Sequence, residues 1–152
     1  MFEPTRVAAR WYFGELMHVD LPAIAIEALE HGYDGPMLRR LAGLIKPTSR
    51  DIRAEEIDGA FRDMGIAAPM PMREAQLILA AETARAVASG LQNPFDAATH
   101  IRIGICRFKA EPPELEKIVR LSEKTEHAPR LLWSKWERDI RDALSEFLNS
   151  RR

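Results

Sequence analysis

The sequence lacks several features that would assign a protein to a class at once. Its single cysteine, Cys106, excludes a disulfide within the chain and is typical of proteins kept in a reducing cytosol. Its longest uncharged apolar stretches, residues 21–26 and 76–81, fall far below the roughly 18 residues that a membrane span needs. The N-terminus carries Glu3 and Glu15 and has no basic-then-apolar signal pattern. We therefore expect a cytoplasmic protein that makes no contact with a membrane.

Net charge is also nearly absent. The 22 Lys and Arg residues against 23 Asp and Glu residues give a formal charge of -1, so no overall field attracts the phosphates of nucleic acid. The hydrophobic fraction of 46% and the charged fraction of 30% are those of a globular protein, not of a disordered one. A chain of 152 residues with this composition predicts one domain with its own core.

What the sequence does have is helical periodicity. Apolar residues recur at spacings of three and four along the whole chain, which is the pattern of helices with one buried face. We predict an all-α fold, a single compact domain over residues 1–149 with about eight helices of mixed length, Pro- and Gly-punctuated joints, and a frayed tail at residues 150–152. The predicted helices cover residues 4–17, 21–30, 36–42, 48 or 49 to 65, 72–89, 94–108, 113–124 and 129–148.

Residues 100–108, "HIRIGICRF", are ambiguous between a strand and a helix. Ile101, Ile103 and Ile105 alternate as in a strand, whereas Ile101, Ile105 and Phe108 also fit one helical face. No other stretch offers a partner strand, and an isolated strand cannot satisfy its backbone hydrogen bonds. We therefore predict a helix here.

The last predicted helix has a long apolar stripe. Its outer face carries charged residues of opposite sign four positions apart, such as Glu137 and Arg141. Its core stripe is predicted to consist of Leu132, Trp133, Trp136, Ile140, Ala143, Leu144 and Phe147.

The most distinctive stretch, residues 30–44, reads "EHGYDGPMLRRLAGL". Gly32 follows a helix, where a left-handed residue ends it, and Gly43 follows the next short helix. Asp34 precedes Gly35 and Pro36, so its carboxylate is predicted to accept the first free N–H groups of that short helix. Because each residue has a local structural role, we interpret the motif as a joint between helices and not as a catalytic loop.

This stretch also resembles a segment found in a group of small uncharacterised bacterial proteins. They pair an Ala/Leu-rich helix with a Gly-aromatic-Asp-small-Pro-x-Leu-Arg-x-Leu-Ala-Gly joint, and "NPFDAATHI" at residues 93–101 is similar as well. The resemblance covers about half of the chain, implies a helical fold and carries no activity. The matching joint residues are Gly32, Tyr33, Asp34, Gly35, Pro36, Leu38, Arg39, Leu41, Ala42 and Gly43.

Metal ligands and catalytic groups are sparse. Glu15 and His18 form one Glu-x-x-His unit, but carboxylate-bridged di-iron bundles need two. Glu27 and His31, four residues apart, share a helical face. These four residues are the first candidates for an enzyme or metal site, which is one alternative. We expect no cofactor and no catalytic site, since Gly-rich phosphate loops and Gly-x-Ser-x-Gly are absent.

A second alternative is DNA binding through residues 36–64, whose two predicted helices resemble a helix-turn-helix. Arg50 and Arg53 could reach base edges, but Glu55 and Glu56 on the same surface would meet phosphates. We expect no nucleic-acid partner.

The remaining hypothesis is binding to protein. Trp11, Tyr12 and Phe13 are consecutive on a helix, and since neighbours lie about 100° apart, at least one must be partly exposed. Tyr12 is the first choice, and aromatic residues are enriched at interfaces. We predict a non-catalytic interaction or accessory protein with an unidentified protein partner. A homodimer and an antitoxin-like or immunity-like role are both compatible with this prediction.

Overall fold

The computed structural model describes residues 1–152 and is entirely helical, which confirms the predicted all-α fold class and the expected number of helices. Three 3-10 turns, at His18–Asp20, Pro113–Leu115 and Arg130–Leu132, and one π-helix, His100–Cys106, accompany the eight α-helices. These are α1 Pro4–Phe13, α2 Leu21–Glu30, α3 Pro36–Ala42, α4 Ala54–Asp63, α5 Met72–Ala88, α6 Pro94–Thr99, α7 Glu116–Thr125 and α8 Trp133–Ser150. None of these helices combines the length and apolar composition that a bilayer crossing requires.

The contacts of the chain cluster into two compact units, Met1–Ala75 and Gln76–Arg152, with the boundary inside α5. We call them unit 1 and unit 2. The single domain over residues 1–149 stays a prediction.

Unit 1 contains α1 to α4, and its core is built where α3 packs against α2 and α4. Residues Leu21, Leu38, Leu41, Ile57 and Phe61 are almost completely buried, in agreement with the apolar spacing of the sequence.

Two predicted helix boundaries in unit 1 are wrong. Helix α1 ends at Phe13, not at residue 17, because Gly14 takes a left-handed φ of +99° and donates its N–H to the carbonyl groups of Arg10 and Trp11. Helix α4 begins at Ala54, not at residue 48 or 49. There the Asp51 carboxylate accepts the Thr48 backbone N–H at 2.8 Å and holds a turn in place of a helical start.

Unit 2 packs α7 against α6 and α8. Helix α6 starts as the sequence predicts, with the Asn93 side chain accepting the backbone N–H of Phe95 at 2.8 Å. The chain then continues as the π-helix, so the ambiguous stretch is helical but wound with the rarer i→i+5 pattern. The buried Gln76 side chain holds its end by donating to the carbonyl oxygens of Ile105 at 3.0 Å and Ala110 at 2.9 Å.

The core stripe of α8 is only partly as predicted. Ile140, Leu144 and Phe147 are buried. Leu132 and Trp133 are not core residues, because a 3-10 turn precedes α8 and leaves 41% of Leu132 and 46% of Trp133 exposed.

Candidate functional site

The joint between α2 and α3 adopts a compact hydrogen-bonded form. Gly32 has a left-handed φ of +92°, and Tyr33 donates its N–H to the Ala28 carbonyl at 3.1 Å, which ends α2. Gly43 follows the last residue of α3 and donates to the Arg40 carbonyl at 3.2 Å. The two glycines of this joint therefore serve to end α2 and α3.

The cap of α3 comes from Asp63 and not from Asp34, which corrects the sequence expectation. The Asp63 Oδ2 atom accepts the backbone N–H groups of Met37 and Leu38, each at 3.0 Å. Asp34 instead accepts the N–H of Gly35 at 2.9 Å and pairs with the guanidinium of Arg39. The hydrogen bond from that guanidinium lowers the pKa of the Asp34 carboxyl below its ordinary value. Asp34 is thus a joint residue held by a surface ion pair.

The four side chains weighed as metal ligands contact different groups. Glu15 accepts from Arg10 Nε at 3.3 Å, and the His18 ring lies edge-on to a tryptophan ring with 5.1 Å between centroids. His31 Nδ1 lies 2.9 Å from the backbone oxygen of Glu27 and not from its carboxylate. No group of three or more His, Cys, Asp or Glu side chains is placed to hold a metal ion.

The segment considered for DNA binding differs from a helix-turn-helix. Residues 43–53 separate α3 from α4, whereas that motif joins its helices by a turn of about three or four residues. Arg40 and Arg53 both pair with Glu56, at 2.9 Å and 3.2 Å. The two guanidiniums share one carboxylate, so the three side chains together keep a single positive charge, which attracts phosphates less than two free cations would.

The aromatic residues at positions 11–13 are all half-buried. Tyr12 donates its hydroxyl to the Asp58 carboxylate, and its ring lies 5.4 Å from that of Phe61. Burial, followed by the hydrogen bond to Asp58, raises the pKa of the Tyr12 hydroxyl well above its ordinary value. Trp11 and Tyr12 line a surface groove of about 590 Å³ in unit 1. Tyr12 is therefore held by its own unit more firmly than a freely exposed contact residue would be.

Unit 2 contains a second and more polarised groove, which sequence reasoning missed. It consists of two adjoining hollows of about 440 Å³ each, which share Arg102, Ile103 and Glu126. Its walls come from α6, the π-helix and the residues just after it on one side, and from α7, the chain that follows it and the first residue of α8 on the other. We call it the Trp133 groove.

The first hollow, the apolar end, exposes an aromatic and aliphatic surface. The Trp133 ring lies 6.2 Å from that of Phe95, and its Nε1 donates to the Ala128 carbonyl at 3.2 Å, which fixes the indole orientation. The Arg130 guanidinium lies over the Trp133 ring at 5.4 Å. Ile103 contributes a side chain that is 38% exposed. Large apolar groups are thus held in fixed positions while facing water.

Arg102 separates the two hollows. Its side chain is only 18% exposed and crosses from the π-helix to α7, where Nε donates to Ser122 Oγ at 2.9 Å. Its Nη2 lies 3.5 Å from the Glu126 carboxylate. The guanidinium therefore forms a fixed polar floor in the middle of the groove.

The second hollow, the acidic end, is lined by Glu111 and Glu123 together with Arg107 and Cys106. Burial and then the nearby Glu111 carboxylate raise the pKa of the Cys106 thiol to about 11. The thiol is therefore protonated at neutral pH and is a poor nucleophile. This end offers carboxylates and not a reactive sulfur.

Two signals in the sequence point to this groove in retrospect. Arg102 is the one charged side chain in the apolar run from Ile101 to Cys106, and a charge in such a run needs a partner. Leu131, Leu132 and Trp133 are consecutive, so they cannot all face one core.

No family model matches the chain, and neither does any curated protein or solved structure.

Proposed function

We propose that this is a non-catalytic interaction protein that binds a segment of a partner protein in the Trp133 groove. The observation that carries the proposal is the water-exposed apolar end, whose indole is hydrogen-bonded to Ala128, beside the polar floor formed by Arg102. Trp and large aliphatic residues at the centre of a concave surface are typical of sites where a few side chains supply most of the binding energy.

The exposed area of Trp133 supports a contribution of that size. With 46% of its side chain exposed, the indole leaves roughly 100 Å² in water. At about 25 cal/mol per Å², removing this area from water has a transfer free energy of about 2–3 kcal/mol, the scale of a hot-spot residue before the costs of association are subtracted. Because Nε1 is already bonded to Ala128, the ring is pre-oriented and loses little entropy when a partner covers it.

The polar groups of the groove support binding in preference to chemistry. Arg102 is engaged by Ser122 and Glu126, and the Cys106 thiol is held in its protonated form. The carboxylates beside them pair with a guanidinium, in the case of Glu126, and disfavour the thiolate, in the case of Glu111, which is not the arrangement of an activated nucleophile. The fixed charges therefore serve to orient a bound segment.

The other sequence-based hypotheses stay predictions. The half-buried aromatic residues Trp11, Tyr12 and Phe13 form a second predicted interface in unit 1. We also still predict that the protein forms a homodimer, is of bacterial type and lies in the cytoplasm.

The proposal is tested by capturing partners from the native cell extract with the tagged full chain. Wild type is compared with Trp133→Ser, with Ile103→Gln on the opposite wall, and with Leu131→Ser as a matched control. Leu131 is 95% exposed and apolar but does not line the groove. Bound proteins are quantified by mass spectrometry, and co-purified nucleic acid and metals are assayed.

We expect one stoichiometric protein that is retained by wild type and Leu131→Ser and is lost from both groove variants. Thermal unfolding of each variant verifies that its fold is intact, since the altered side chains are exposed. A partner that is bound equally by Trp133→Ser, or recovery of nucleic acid in place of protein, would overturn the proposal.

A further inference from the structure

We infer that the segment held in the Trp133 groove is basic and amphipathic, with an apolar anchor at the apolar end and a Lys or Arg side chain at the acidic end. This inference rests on the proposed function and adds the chemistry of the partner. It is carried by the distribution of charge along the groove.

The groove is acidic although the unit that carries it is basic. Residues 76–152 contain 13 Lys and Arg against 11 Asp and Glu, a net charge of +2. The two hollows together are lined by the guanidiniums of Arg102 and Arg107, with Arg130 beside Trp133, and by the four carboxylates of Asp96, Glu111, Glu123 and Glu126, so the groove carries an excess of negative charge. A patch whose sign opposes that of its surroundings focuses attraction on a cation at that point.

Most of the available carboxylates lie at one end, because of the three that form no ion pair only Asp96 lines the apolar end. Arg102 already takes up part of the Glu126 charge, at 3.5 Å, whereas Glu111 and Glu123 form no ion pair in the structure. The Arg107 guanidinium is directed at the ring of Phe108, 5.2 Å from its centroid. An incoming ammonium or guanidinium therefore finds unpaired carboxylates in the second hollow.

The opposite end disfavours a second cation. The Arg130 guanidinium already lies over the Trp133 ring, so a positive side chain placed there would meet a like charge. The side chains of Phe95, Ile103 and Trp133 at this end suit an aromatic or aliphatic side chain. The bound segment is therefore oriented with its positive side chain toward the acidic end and its apolar anchor toward Trp133.

The distance between the two ends of the groove limits how many residues separate the apolar anchor from the basic residue in the bound segment. Ile103 belongs to both hollows, and Arg107, four residues later, lines only the acidic end. Four residues of a helix advance by roughly 5 Å along its axis, which a partner spans with three or four residues as a helix or two as an extended chain. We expect the Lys or Arg to lie two to four positions from the apolar anchor.

The test is selection of binders from a library of random twelve-residue peptides displayed on phage, with the full chain as target. Wild type is compared with the double variant Glu111→Lys/Glu123→Lys. The matched control is Glu27→Lys/Glu30→Lys, which makes the same change in net charge on exposed positions of α2. Selected peptides are synthesised, and their affinities are measured by fluorescence polarisation, including against Trp133→Ser.

We expect wild type and the control to enrich Lys or Arg two to four positions from a large apolar residue. The double variant should enrich Asp or Glu at that position instead. Exchanging the basic residue of a wild-type peptide for Glu should weaken its binding to wild type at least tenfold, and added salt should reduce the difference.

The possible results distinguish a failure of the inferred charge preference from a failure of the proposed protein binding. Peptides that require Trp133 but show no basic preference, or that the double variant selects unchanged, overturn the inference and leave the proposed function standing. If no selected peptide loses affinity for Trp133→Ser, the proposed function fails and the inference with it. Self-association of the wild type that Trp133→Ser abolishes would assign the groove to a second copy and likewise overturn the inference.

Discussion

Replacing Asp63 with alanine should destabilise unit 1, because this carboxylate caps α3 from the end of α4. Its Oδ2 atom accepts the N–H groups of both Met37 and Leu38 at 3.0 Å. A carboxylate at a helix C-terminus is normally unfavourable, so its position at the end of α4 is stabilised by the positive end of α3. Without it, two half-buried N–H groups lose their acceptor.

The magnitude follows from those two bonds. Removing a helix cap costs about 0.5–2 kcal/mol, and hydrogen bonds to a charged group contribute about 1.5–3 kcal/mol. We expect Asp63→Ala to lower the free energy of unfolding by about 2 kcal/mol. With a urea m-value of about 2 kcal/mol/M, the unfolding midpoint should fall by about 1 M.

The assay is urea unfolding of the full chain followed by circular dichroism at 222 nm. Asp34→Ala is the matched control, since Asp34 is the cap that the sequence alone predicts but is a surface partner of Arg39 in the structure. Its midpoint should stay close to that of wild type. The reasoning is refuted if Asp34→Ala lowers the midpoint as much as Asp63→Ala, or if Asp63→Ala leaves it unchanged.

Gly35 provides a second test of the same contact. Its φ of 165° is extended backbone that any residue adopts, but a Cβ atom there would overlap the Asp63 carboxyl group. Gly35→Ala should therefore destabilise wild type by displacing the cap. In the Asp63→Ala background most of that cost should disappear, so that the double-mutant cycle shows coupling. Additive effects would contradict the close approach.

Three further predictions concern unit 2. Gln76→Met should lower the free energy of unfolding by about 3 kcal/mol, because the carbonyls of Ile105 and Ala110 lose their hydrogen-bond donor. The melting temperature should fall by roughly 10 °C, and an unchanged melting temperature would argue against these two hydrogen bonds. Asn93→Ala should cost about 1 kcal/mol in the same measurement, and Asn93→Ser should recover most of it. At pH 8 a disulfide reagent should modify Cys106 about 100-fold more slowly in the folded chain than in urea, because its pKa is raised from 9.0 to about 11. The rate in urea should reach half of its maximum near pH 9.0, whereas the rate in the folded chain should do so only near pH 11. Equal rates at pH 8 would disprove the burial of the thiol.

The bounds of α3 and the start of α6 could be read from the sequence because local groups determine them. Pro36 and Gly43 bracket α3, and Asn93 caps α6 through its own next residues. The wrong start of α4 arose because a nearby side chain competes with the helix. Asp51 binds Thr48 in a turn, and apolar spacing at residues 48–53 does not reveal that competition.

The candidate site was harder to predict than the helices. Arg102 and Trp133 are recognisable as unusual residues, but their sequence does not show that they line one groove. The exposure of Trp133 depends on the 3-10 turn that precedes α8. The partners of Arg102 are Ser122 on α7 and Glu126 just beyond it, 20 and 24 residues away in the sequence.

The sequence by itself determined that this chain is helical and where most of its joints lie, because periodicity and the conformations of proline and glycine act over a few residues. Only the tertiary structure decided that Asp63, 26 residues from Met37, caps α3 in place of Asp34. It also decided that Phe95, Arg102 and Trp133 share a groove with the carboxylates of Glu123 on α7 and Glu126 just beyond it. The physical reason is the same in both cases: a carboxylate or an indole can contact several groups equally well, and long-range packing selects the one that it meets.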